Sequence, residues 1–117
     1  MRKEDFNILL KERINEIEQK LVVKRDEYAT GEDVFSAFKK ATGISFHDCP
    51  EQLAWEYMTK HLQSIKDMVQ HVSDEGFNGY PDKEILREKF GDAINYLLLI
   101  ELMMIERIRM SPIKAGA

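Results

Sequence analysis

Apolar residues recur at helical spacing through most of this chain. From about Glu4 to Ala29, Leu10, Ile14, Ile17, Leu21 and Tyr28 step by three and four, with Lys24 filling the gap in the series. That is the pattern of a long amphipathic helix. Lys11, Glu12, Glu16, Glu18 and Lys20 take its other faces, and Thr30-Gly31 ends it. A short second helix is predicted from about Glu32 to Thr42, with Val34, Phe35, Phe38 and Ala41 on one side. Gly43 fits its C-terminal cap, where glycine accepts the left-handed conformation. Asp48, Pro50 and Glu51 form a capping-box pattern that opens a third helix. Along it Trp55, Met58, Leu62, Ile65, Val69 and Val72 step by three and four, a stripe predicted to be core. Ser73 to Pro81, with two glycines and a proline, reads as a loop. A fourth helix is predicted from about Asp82 to Met110, with Ile85, Phe90, Ile94, Leu97, Met104 and Ile108 as its core face. Leu98, Leu99, Leu102 and Met103 widen that face beyond one stripe, so this helix is expected at the centre of the bundle or in a homodimer interface.

No segment alternates with period two, so the fold class is all-α: a four-helix bundle-like domain of three long helices and one short one. A chain of 117 residues fits one domain, here 1–117. Charged residues make up 32% and the net charge is -4, with acids and bases interleaved. No basic stripe or arm is present, which argues against direct nucleic-acid binding. Cys49 is the sole cysteine, so neither an intramolecular disulfide nor a cysteine-rich metal motif can form. The start Met1-Arg2-Lys3-Glu4-Asp5 has no apolar signal region. The apolar run Ala93 to Ile105 is shorter than the ~20 residues a membrane span needs. A cytoplasmic protein with no membrane partner is the expectation. Glycine-rich phosphate loops, nucleophile elbows and His-Glu-x-x-His zinc motifs are absent.

Candidate chemistry lies in polar residues set inside the apolar helices. Glu88, Asp92 and Asn95 fall at i, i+4 and i+7 and share a helix face that looks inward. Asn95 sits between Ile94 and Tyr96, where its amide needs a partner or costs about 1 to 3 kcal/mol. Glu88 and Asp92 are hard oxygen ligands one turn apart, suited to Mg2+ beside a phosphate. A third carboxylate would come from Glu27 or Asp67. The competing assignment pairs Asp92 with Lys89 or Lys60 in an ordinary salt bridge. On the third helix Tyr57, Lys60, His61, Ser64, Asp67, Met68 and His71 form a band beside the apolar stripe. In a cleft, Lys60 would attract an anion, His61 would exchange a proton and Ser64 would hydrogen-bond; on a half-exposed surface the histidine only packs its ring. Tyr28, Phe35, Phe38 and Trp55 are most simply aromatic core, with one or two available to line a pocket for a planar base.

Lys24-Arg-Asp-Glu-Tyr28, Asp33-Val-Phe-Ser-Ala-Phe38, Trp55 with Lys60-His61-x-x-Ser64-Ile65-x-Asp67, and Asp92-Ala-Ile-Asn95-Tyr96 together resemble the phage and prophage family called nucleotide-modification-associated domain 1. The likeness spans about Leu21 to Glu106. It implies a small all-helical, phage-related protein that acts on nucleotides, with Lys24, Tyr28, Lys60, Ser64, Asn95 and Tyr96 as substrate-binding candidates. Glu88-Lys-Phe-Gly-Asp92 is more distantly similar to the second half of the acidic motif of MazG-like all-α nucleoside triphosphate pyrophosphatases. The Glu-Glu-x-x-Glu half is missing, and Lys89 stands where that motif has an acidic residue, so the carboxylate cage is not carried over.

Two functions are expected from different classes. The first is a nucleotide-binding protein or nucleotide-modification accessory, with or without Mg2+-dependent phosphohydrolase activity. Its metal would sit on Glu27, Asp67, Glu88 and Asp92, with His61 and Lys60 as the catalytic candidates. The second is a non-enzymatic helical interaction module that dimerises through the fourth helix and binds a protein partner, its buried asparagine fixing helix register.

Overall fold

The computed structural model describes residues 1–29, 31–75 and 81–111. It has four helices in the order α1 (Lys3–Tyr28), α2 (Ser36–Ile44), α3 (Pro50–Glu75) and α4 (Lys83–Arg109), with no strand among the described residues. The all-α class and the count of three long helices and one short one are as the sequence predicts. Contacts within the chain divide it into two compact units, Met1–Ala37 and the rest from Phe38.

In the first unit α1 carries Glu4 and Asp5 in its first turn and Arg25 in its last, charges that suit the helix dipole. None of its residues is buried. Beyond it Gly31 has φ 64°, the left-handed conformation that favours glycine at a helix break. Thr30, the other residue of the predicted break, lies outside the described residues. The second helix starts at Ser36, later than the predicted Glu32. Asp33 delays it, since its carboxylate accepts from the Phe35 N–H at 3.0 Å and makes a turn that competes with helix. Ser36 then donates from Oγ to the Tyr28 carbonyl at 3.0 Å, tying the start of α2 to the end of α1.

Gly43 is not the cap of α2. The helix continues through it to Ile44, and the exit is built by Ser45, whose N–H and Oγ both donate to the Thr42 carbonyl.

The second unit is dominated by the packing of α3 against α4. Glu51 pairs with Arg107 near one end and His61 with Asp92 further along, so the two helices run antiparallel. Pro50 is the first helical residue of α3, where its missing N–H costs nothing. The predicted capping box is replaced: Gln52 Oε1 accepts from the Asp48 N–H at 2.9 Å, and Glu51 reaches Arg107 instead. At the start of α4, Asp82 accepts from the Ile85 N–H at 2.9 Å, a side-chain N-cap. The predicted loop Ser73–Pro81 lies partly in α3, which runs to Glu75, and its centre falls outside the described residues.

The core differs from the predicted stripes. On α3 the buried residues are Leu53, Ala54, Met58 and Met68, whereas Trp55, Leu62, Val69 and Val72 are exposed. The line that turns inward is Ala54, Met58, His61, Ile65 and Met68, rotated from the most apolar line by one position at several turns. Small Ala54 and polar His61 hide that line from a search for large apolar residues. On α4 the buried side chains are Ala93, Asn95, Leu99 and Met103. The predicted face residues Leu97, Met104 and Ile108 are exposed. No helix among the described residues is long and apolar enough to cross a membrane.

Candidate functional site

Two pairs of residues one helical turn apart face each other across α3 and α4: Tyr57 with His61, and Asp92 with Tyr96. His61 Nδ1 lies 3.8 Å from Asp92 Oδ2, with side chains 15% and 17% exposed. This is a close approach of imidazole and carboxylate rather than a direct hydrogen bond, since it exceeds hydrogen-bond distance. The His61 ring stacks on Tyr96 with centroids 5.5 Å apart and planes at 28°. Tyr57 meets Tyr96 edge to face at 6.5 Å. An imidazole changes charge near neutrality, so this arrangement places a proton-exchanging group between a carboxylate and two aromatic rings.

Asn95, one turn beyond Asp92, is 3% exposed. Both Oδ1 and Nδ2 are buried without a hydrogen-bond partner among the described residues. A carboxamide in that state forfeits about 1 to 3 kcal/mol unless a water or ligand meets it.

Other predicted site residues are placed differently. Asp92 pairs with His61, not with Lys89 or Lys60. Lys60 is exposed, beside His61 in sequence. Ser64 spends its hydroxyl on its own helix, donating to the Lys60 carbonyl at 3.1 Å. Asp67 is exposed and accepts from Gln63 Nε2 at 2.9 Å. Glu88 is exposed, one turn before Asp92. Lys24, Glu27 and Tyr28 belong to the last turns of α1 in the first unit. Among the described residues no three His, Cys, Asp or Glu side chains gather as a metal-holding group. Of the predicted Mg2+ set, Glu27 belongs to the first unit, and in the second unit Asp67 and Glu88 are exposed while Asp92 approaches His61.

A second feature joins residues that no sequence spacing relates. Near the start of α3 and the end of α4, the Glu51 carboxylate takes a two-pronged hydrogen bond from Arg107 Nε and Nη2, the latter at 3.1 Å. Lys39 on α2 reaches Glu106 at 3.3 Å. Burial alone would push the Glu51 carboxyl up; the hydrogen bond from Arg107, with the charges of Arg107 and Lys39, outweighs it and holds the carboxyl below its ordinary value. Glu51, Trp55, Thr59 and Ile100 line an open groove of about 540 Å³, with His47 Nε2 in contact with the Glu56 carboxylate at its side. No family model, curated protein or solved structure matches the chain.

Proposed function

We propose that this is a nucleotide-binding protein whose ligand is met by the polar seam between α3 and α4. One observation carries the proposal: the buried Asn95 carboxamide, an unpartnered donor and acceptor side by side, next to Tyr96 and the His61–Asp92 pair. A nucleobase edge presents the complementary acceptor and donor, and tyrosine rings stack on bases. Exposed Lys60 supplies a positive charge for phosphate near the same stretch of α3. The resemblance to the phage nucleotide-modification family points the same way.

The test is thermal shift of the purified chain against nucleosides, nucleoside monophosphates and triphosphates, each with and without Mg2+. A ligand that binds only the folded state raises its melting temperature. Asp92→Ala and Lys60→Ala should each weaken the response. If no nucleotide shifts the melting temperature, or both variants respond as the parent does, the proposal fails.

The second reading is a helical interaction module that dimerises through α4. It is favoured by Leu97, Met104 and Ile108, which lie along one outer stripe of α4 at 51%, 54% and 60% exposure. Replacing Met104 and Ile108 by lysine should then abolish self-association in sedimentation experiments.

A further inference from the structure

The α1 helix carries a separate pattern of its own. Asn7, Leu10, Ile14, Ile17, Leu21, Lys24 and Tyr28 alternate by steps of three and four along the helix, the spacing of a coiled-coil seam. Leu10 and Ile14 are 45% and 56% exposed, Ile17 and Leu21 are half-buried, and no residue of α1 is buried. We propose that two copies of this chain associate through α1 as an antiparallel two-helix coiled coil.

The direction follows from the polar members of the seam. Centred between Ile14 and Ile17, an antiparallel pair sets Ile14 on the partner's Ile17 and Leu10 on the partner's Leu21. The polar residues then meet only at the ends, Asn7 against the partner's Lys24. A parallel, in-register pair would instead press Lys24 against the partner's Lys24, two like charges in an apolar seam.

Charges beside the seam are self-complementary in the same direction. Glu4, Lys11, Glu18 and Arg25 occupy one flank in the order minus, plus, minus, plus. Antiparallel pairing brings Glu4 to the partner's Arg25 and Lys11 to the partner's Glu18, and symmetry repeats both contacts. On the other flank Arg13 approaches the partner's Lys20, but Arg13 is already met by Glu16 at 3.1 Å on its own helix. A parallel pair would match Arg13 with the partner's Glu18 and set Lys20 against the partner's Arg25.

Sedimentation equilibrium on the full chain tests this. The parent should sediment at twice 13.7 kDa, and Ile14→Lys at the monomer mass with its helical circular dichroism retained. Lys11→Glu and Glu18→Lys should each weaken the dimer about tenfold, each turning two attractions into repulsions, while the double swap restores it. A parent that stays monomeric, an Ile14→Lys dimer, or a double swap no tighter than its single variants would overturn the proposal. Rescue of Glu18→Lys by Arg13→Glu rather than by Lys11→Glu would mean parallel helices and would overturn it as well.

Discussion

His61 and Asp92, far apart in the chain, come within 3.8 Å across the α3–α4 contact, each more than four-fifths withdrawn from solvent. Such a pair lies between the exposed ion pairs that contribute little and the buried ones that carry a desolvation penalty. A double-mutant cycle with His61→Ala and Asp92→Ala should give a coupling energy of about 1 kcal/mol in urea denaturation at pH 6. Strict additivity of the two single changes would show that the approach contributes nothing to stability.

Asn95→Leu should stabilise the fold while removing the proposed recognition. Leucine has a similar volume and no polar atoms to leave unmet, so a gain of about 1 to 2 kcal/mol is expected. The same variant should lose any nucleotide-induced rise in melting temperature. A clear loss of stability would instead mean that a buried water or another group satisfies the amide in the parent.

Acid should weaken the Glu51–Arg107 clamp. The Glu51 carboxyl is held below its ordinary value of 4.5, so its stabilisation is complete above that pH and disappears as pH falls through the lower folded value. Arg107→Ala should cost about 0.5 to 1 kcal/mol at pH 7, modest because Arg107 is more than half exposed. The gap between parent and variant should close on titration below about pH 4. A gap that is unchanged in acid would assign the loss to packing of the arginine stem.

Met58 and Trp55 report which face of α3 is core. Met58 is 1% exposed and Trp55 53%. Met58→Ala should lower stability by about 2 to 4 kcal/mol, the range for emptying a core site. Trp55→Ala should change it by less than about 1 kcal/mol. The reverse order would restore the face on which Trp55 and Val69 lie as the buried one.

What was legible in the sequence was periodicity and punctuation. The three- and four-residue steps gave the helices, and Gly31 and Pro50 marked the end of one and the start of another. The rotation of the core was hidden because burial follows shape as well as hydrophobicity. Ala54 is fully buried and His61 turns inward although no count of large apolar residues would select them. Glu51 was hidden for another reason: at the start of a helix its spacing from Asp48 fits a local cap, and only the return of α4 brings Arg107 within reach. The inward face of Asp92 and Asn95 could be read, because polar residues in an apolar helix stand out by contrast. The exposure of Asp67 and Glu88 could not, since spacing along a helix leaves its rotation against a neighbour undetermined.

Neighbouring residues Glu106 and Arg107 are held by opposite charges on different helices, Lys39 on α2 and Glu51 on α3. The last turn of α4 is thus moored on two lines, both electrostatic and both open to counterions. Brine should slacken this end of the helix pair first, so amide exchange would spread from Arg107 toward the aromatic cluster at Tyr96, giving the hairpin a preferred direction of unzipping.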